Sequence, residues 1–189
     1  KAIMAKRGIN QKEISPYTIS GYIDSLKNLG FYVGQTINED VQKIISEKLF
    51  YDIFLEYEAE LHRSNATDFG GLITGVLHLF NNFPEVLRKY QEKFKYVLVD
   101  EYQDTNRAQF DLIGKLAHAH RNLCVVGDED QSIYSWRGAD IRNILDYEVT
   151  YPEAQLIKLE QNYRSSKRII EAASEVISRN QARKGKMMW

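Results

Sequence analysis

The stretch YVLVDEYQDTN, residues 96–106, runs apolar and aromatic residues straight into two adjacent acids, Asp100 and Glu101, with a third at Asp104. Neighbouring carboxylates repel, so a fold that places them at the end of a strand gives them something positive to hold. Two such acids suit hydrated Mg²⁺, which takes one or two carboxylates and completes its shell with water and substrate phosphates. The second acid is then available to orient or deprotonate an attacking water. Asp100 and Glu101 are therefore the candidate metal and catalytic pair. Two later segments carry matching groups: GDEDQSIYSWRG at 127–138 and QNYR at 161–164. Phosphoryl transfer needs positioning and charge neutralisation more than covalent help. Gln131 can sense a terminal phosphate, and Arg164 can stabilise developing charge. Tyr134, Trp136 and Arg137 lie beside Gly138. Aromatic side chains helped by arginine grip single strands by stacking on bases. Taken by itself, that stretch also admits a plainer reading, with Trp136 in the core.

These groups need a frame, and the sequence changes character near residue 94. Before it the pattern is helical. Ser15 followed by Pro16 predicts an N-cap and first turn opening a helix over 16–28. Apolar residues at 41, 44, 45, 49, 53, 54, 57 and 61 predict one long helix from Glu39 to Arg63. Phe69, Leu72, Ile73, Val76, Leu77 and Phe80 mark a third helix with those residues in the core, and Pro84 opens a fourth. After residue 94, apolar runs at 96–99, 123–126 and 156–159 alternate with amphipathic stretches at 106–118, 139–147 and 166–179. That order predicts a parallel sheet of three strand–helix units covered on both faces. In such sheets functional residues gather at the carboxyl ends of the strands, where the candidates lie.

The chain has 189 residues, 43% hydrophobic and 27% charged, with a net charge of -1. That is ordinary for a globular protein, and it gives no compositional sign of nucleic-acid binding. No apolar run approaches the length of a membrane span, and the expected location is the cytoplasm. One cysteine, Cys124, permits no internal disulfide and is expected as a small buried apolar residue. The four histidines form no ligand set with it, so Mg²⁺ is the only expected metal.

VDEYQDTNRAQ, VVGDEDQSIYSWRGADIRNIL and KLEQNYRSSKRII closely resemble motifs II, III and IV of the superfamily 1 DNA helicases of the UvrD/Rep/PcrA group, in that order and at matching spacing. The resemblance is strong over about 94–185 and weaker in the helical part, through SPYTISGYI, SNATDF and FPEVLRKYQEKFKY. It implies an α/β fold: part of a RecA-like P-loop NTPase sheet with an all-α insertion, residues 1–93 being the insertion called 1B and 94–189 the second part of the first motor domain, 1A. It implies an ATP- and Mg²⁺-dependent motor that moves 3′ to 5′ along single-stranded DNA and unwinds duplex, in repair or replication. By position, Asp100 would hold Mg²⁺ and Glu101 would be the base. Gln131 would sense the γ-phosphate, Tyr163 stack on adenine, and Arg164 contact the γ-phosphate. Tyr134, Trp136 and Arg137 would contact single-stranded DNA. The resemblance names no protein partner.

One departure is large. The phosphate-cradling GxxxxGK[ST] does not occur: Gly70 and Gly75 have the glycine spacing but are followed by Val76-Leu77. Motifs Ia, V and VI are also missing. Truncation at both ends of a longer protein is the expected reason, and on that account the isolated chain is expected to be inactive. The alternatives are a relative that has lost its motor and only binds single strands, or an unrelated RecA-like NTPase; SIYSWRG speaks against the last. A smaller departure is Gly70-Gly71, where the group often carries acids; two glycines near a helix start cost stability, and the sequence leaves two readings open, close backbone approach or no role.

Overall fold

The computed structural model describes residues 1–179; the tail KGKMMW, and with it the end of the expected 94–189 domain, lies outside the described residues. Ser15 and Pro16 do open a helix. Helix α2 (Pro16–Asn28) follows α1 (Ala2–Lys6), and Ser15 Oγ accepts from the Thr18 N–H. Side chains cap three later helices in the same way: Asn38 on α3 (Glu39–Ile44), Asp68 on α5 (Phe69–Asn82) and Asn106 on α7 (Arg107–Ala117). Such caps satisfy backbone donors that have no partner inside the helix. The remaining helices are α4 (Lys48–Arg63), α6 (Pro84–Lys93), α8 (Arg142–Leu145), α9 (Tyr147–Thr150) and α10 (Lys167–Ile177).

The chain divides into two compact units. One comprises Lys1–Leu98 and Asn106–Cys124; the other comprises Val99–Thr105 and the chain from Val125 onward. The first unit is built on Met4, Ile19, Ile23, Leu26, Phe31, Val41, Ile53 and Phe54, all buried together. This core breaks the expected long helix into α3 and α4. At about 100° per residue, Val41 and Ile53 on one continuous helix would point about 120° apart, yet both enter the same cluster. An interruption at Ile45–Glu47, where Ser46 Oγ donates to the Lys43 carbonyl, lets them do so.

Helix α5 also departs from expectation. Thr74, Leu77 and Phe80 are buried, but Phe69 is 92% and Leu72 56% exposed. The face that meets α2 carries Gly70, Thr74 and Leu77, and Phe69 and Leu72 lie about 100° and 160° round the helix from Gly70. A Cβ on Gly70 would sit 2.8 Å from Lys27 Cδ, and one on Gly71 would collide with the Thr67 hydroxyl. The two glycines therefore let α5 begin directly against the Lys27 stem. Lys27 itself is 2% exposed. Its Nζ donates to both Asp68 oxygens at 2.7 and 2.8 Å. Glu58 Oε1 lies 2.7 Å from the same nitrogen, as an ion pair out of line for a hydrogen bond.

Two short strands, β1 (Val97–Val99) and β2 (Leu123–Val125), pair as a small parallel sheet. The expected third strand at 156–159 does not form: the segment is irregular, with Leu156, Ile157 and Leu159 at 60–79% exposure. A strand must satisfy its backbone groups on a neighbour, and among the described residues none pairs with this run. Among the described residues the sheet is also covered on one face and open on the other. Val97, Val99, Leu123 and Val125 are half-buried, whereas Leu98 is 77% exposed and Cys124 is exposed rather than buried. In each strand the middle side chain points away from the face that carries its neighbours. No helix among the described residues is long and apolar enough to cross a membrane.

Candidate functional site

The acids of 100–104 sit where β1 gives way to a tight turn. The ladder runs just past the strands: Val126 N–H donates to the Val99 carbonyl at 2.7 Å, and Tyr102 N–H to the Val126 carbonyl at 3.0 Å. Between these bonds the backbone must reverse, and Glu101 absorbs the change at φ 51, ψ 43. A left-handed conformation costs a non-glycine residue about 1–2 kcal/mol, and strain of this kind persists only where the surroundings enforce it. The enforcement is visible. Tyr102 and Gln103 are each 1% exposed, and Tyr102 stands edge-on to Tyr147 with ring centroids 5.7 Å apart. Burial, and then the neighbouring Tyr151 and Tyr147, push the Tyr102 phenol well above its ordinary pKa. Thr105 Oγ1 donates to the Tyr102 carbonyl, and Asn143 Nδ2 donates to both the Thr105 carbonyl and its hydroxyl.

Held this way, Asp100 accepts from the Glu101 N–H, and both side chains face solvent. Asp104 Oδ1 is buried without a hydrogen-bond partner. Partial burial, and then the charge of Glu101, raise the Asp104 carboxyl above its ordinary value. These are oxygen donors only, which suits a hard divalent cation. Among the described residues no three His, Cys, Asp or Glu side chains close around an ion. Mg²⁺ needs one or two carboxylates and takes the rest from water and phosphate; the solvent-facing carboxylates of Asp100 and Glu101 fit that demand.

The second strand end joins the first through one side chain. Gln103 Nε2 donates to Glu101 Oε2 at 2.7 Å, while Gln103 Oε1 accepts the Asp128 N–H at 3.0 Å. The Asp128 carboxylate in turn accepts from Gln131 Nε2 at 2.7 Å and from the Asp130 N–H at 3.0 Å. Glu101 and Gln131 thus belong to one hydrogen-bonded network. Sequence reasoning singled out both ends and missed Gln103 and Gly127 between them. The available signal was a glycine at a strand end, a position where something approaches the backbone closely: a Cβ there would lie 2.7 Å from Gln103 Oε1.

Past Gln131 the chain forms a single turn over Ser135–Arg137, closed by Gly138 at φ 86. Trp136 is 73% exposed, so the core reading of this residue does not hold. The Arg137 guanidinium stands 4.5 Å from the Trp136 ring and 4.7 Å from that of Tyr134. The result is an aromatic surface with its cation already stacked on it.

The third predicted group is arranged locally. Tyr163 is 86% exposed and its hydroxyl donates to Gln161; Asn162 Oδ1 accepts from the N–H groups of Arg164 and Ser165. No hydrogen bond or ion pair joins Tyr163 or Arg164 to Asp100, Glu101 or Gln131 among the described residues.

Comparison with known proteins gives a consistent picture. The model of the UvrD/REP helicase N-terminal domain matches residues 1–152. The ATP-dependent DNA helicase PcrA of Bacillus subtilis (strain 168) is 48% identical over 192 aligned residues, covering 100% of this chain and 25% of that protein. The ATP-dependent DNA helicases PcrA of Staphylococcus epidermidis (strain ATCC 12228) and Staphylococcus aureus (strain Mu50) are each 47% identical, with 100% of this chain and 26% of the relative covered. The chain therefore spans about a quarter of the length of the curated relatives it matches.

Proposed function

The chain belongs to the UvrD/REP helicase family, and from that premise we propose that it is part of a longer ATP-dependent DNA helicase, contributing the catalytic acids and a single-strand contact. Residues 1–93 then serve as the helical insertion and 94–189 as the motif II–IV part of the first RecA-like motor domain. The substrates are ATP and DNA, and movement runs 3′ to 5′ along a single strand during repair or replication in the cytoplasm.

One observation carries this reading: the network from Glu101 through Gln103 and Asp128 ends at Gln131, three residues along the chain from the Tyr134–Trp136–Arg137 surface. In this role Glu101 orients and deprotonates the attacking water, and its exposure leaves room for one. Asp100, with Glu101 beside it, holds Mg²⁺, which when bound neutralises phosphate charge. Gln131 meets the γ-phosphate from the second strand end. Tyr163 offers an open ring for adenine, and Arg164 offers its charge to the phosphates. Trp136 and Tyr134 stack on bases with Arg137 beside them. Because one short segment carries both Gln131 and Trp136, motion at the nucleotide reaches the strand.

The test is ATP hydrolysis by the full-length protein, with and without single-stranded DNA, for wild type and Glu101→Gln. DNA-stimulated turnover should fall by about 100-fold or more in the variant, while DNA binding persists. Undiminished hydrolysis by Glu101→Gln would remove the role assigned to this acid.

A further inference from the structure

We propose that Gln103 is a positioning residue for ATP hydrolysis: its amide aims the Glu101 carboxylate and ties that aim to the backbone of the loop that carries Gln131 and Trp136. The inference rests on the reading of Glu101 as the base.

The geometry points to this on three counts. First, Gln103 is 1% exposed, so its amide depends on protein partners. The short bonds at its two ends go to Glu101 Oε2 at 2.7 Å and the Asp128 N–H at 3.0 Å; Asp104 Oδ2 is a distant third at 3.5 Å. A carboxylate only accepts and a backbone N–H only donates, so these partners fix which end of the amide faces which. Second, the approach is built into the backbone. A Cβ on residue 127 would fall 2.7 Å from Gln103 Oε1 and 2.8 Å from Ile144 Cδ1, so any other residue there would push the bridging amide from its place. Third, Glu101 is held in a left-handed conformation by the same turn. With its backbone constrained, the Glu101 carboxylate takes its direction from the donor beside it. Asp128 continues the chain through its carboxylate to Gln131. A shift of the 128–137 loop on engaging a strand therefore reaches Glu101 through one side chain.

A merely structural glutamine would affect folding but not act through Glu101. The experiment is a double-variant cycle in the full-length protein, reading kcat and KM for DNA-stimulated ATP hydrolysis in wild type, Gln103→Leu, Glu101→Gln and the pair. Gln103→Leu should lower kcat by about 10- to 100-fold, the range for partners that orient a reactive group. KM for ATP should stay within about threefold, because the lost contact serves the transition state. Added to Glu101→Gln, the same change should alter the residual rate by no more than about twofold, since its route of action is already gone. Gln103→Glu keeps size and the acceptor for Asp128 but replaces the donor; it should lose kcat similarly, and it decides the matter if the leucine variant does not fold. Near-wild-type kcat in either folded variant, or an equal loss with and without the Glu101 carboxylate, overturns the proposal. Wild-type turnover by Glu101→Gln alone overturns the reading of Glu101 and the proposal with it, a result distinguishable because it appears before Gln103 is touched.

Discussion

Two groups of acids in this molecule are built on opposite principles. In the helical unit, Asp68 and Glu58 converge on the buried Lys27. Asp68 also accepts from Tyr57 Oη at 2.9 Å and from the Gly71 N–H at 2.7 Å. In the other unit, Asp100, Glu101 and Asp104 have no lysine or arginine in ion-pair contact among the described residues. Their shifts run in opposite directions. Burial alone would raise Asp68, but the bonds from Lys27, the Gly71 N–H and Tyr57 outweigh it and hold that carboxyl below its ordinary value. Asp104 is pushed up by partial burial and by Glu101. The first group is closed on itself and serves the fold. The second carries no such cation and keeps the Asp100 and Glu101 side chains in solvent, which suits the proposed role of receiving a cation and a water.

Single substitutions should separate the two. Lys27→Met strips the closed group of its cation and leaves acids crowded against an apolar stem. Breaking a buried pair typically costs about 3–5 kcal/mol. Here both acids keep some access to water, which places the loss near the lower end, at about 3 kcal/mol. Urea denaturation of the 189-residue chain reads it. Glu101→Gln should change the unfolding free energy by less than about 0.5 kcal/mol, while the proposed ATP hydrolysis by the full-length protein should be lost. Equal destabilisation by both changes would erase the distinction.

The exposed aromatic surface sharpens the contrast further. Trp136→Ala removes a side chain that is 73% exposed, so folding should change little. Single-stranded DNA affinity of the full-length protein should fall by about 1–3 kcal/mol, the range for one lost stacking platform. Fluorescence anisotropy at two salt concentrations checks it. An unchanged salt slope with weaker binding marks lost stacking, and a shallower slope marks lost phosphate contacts. Full affinity in the alanine variant would take the strand contact away from this turn.

Gly70→Ala probes the closed group from its other side. Alanine favours a helix by about 1 kcal/mol over glycine, so an open site would gain stability. Here the added Cβ meets the Lys27 Cβ at 2.9 Å and Cδ at 2.8 Å, and a fixed Cβ cannot swing away. Overpacking of this kind costs about 1–3 kcal/mol, giving a net loss of about 1 kcal/mol. A gain in the urea midpoint would show that Lys27 can move aside.

The legibility of these features in the sequence follows the range of the interactions that make them. Ser15-Pro16 and Pro84 act within one turn, and their helices start where those residues predict. The strand ends before Asp100 and Gly127 were readable because apolar runs mark them, whereas the run at 156–159 carried the same mark and forms no strand. What failed depended on distant partners. The break at Ile45–Glu47 is imposed by a shared core, the outward turn of Phe69 by the contact of Gly70 with Lys27, and the missing strand at 156–159 by the lack of a neighbour to pair with. Gln103 escaped notice for a related reason: its function lies in joining residues 101 and 128, and nothing in DEYQD announces the second partner.

Acid should act on the closed group through Asp68. A carboxyl held below its ordinary value in the folded state binds more protons unfolded than folded across the interval between the two values. Its stabilisation is therefore present above the ordinary carboxylate range and is lost as pH falls through the lowered folded value. Glu56, lowered by hydrogen bonds from Arg7 and Lys6, adds to that loss. Asp24 works against it. Burial and the charge of Asp68 raise Asp24, so its contribution is full at low pH and is lost as pH rises through the raised value. The groups facing Asp68 are Lys27, Tyr57, Glu58 and Asp24. The urea midpoint of the chain should consequently drop between neutral pH and the acid side of the carboxylate range. Asp68→Asn, already weaker at neutral pH, should show a smaller drop, and Asp24→Asn a larger one. An Asp68→Asn variant whose midpoint falls as far as wild type would mean that the acid sensitivity lies outside the Lys27 group.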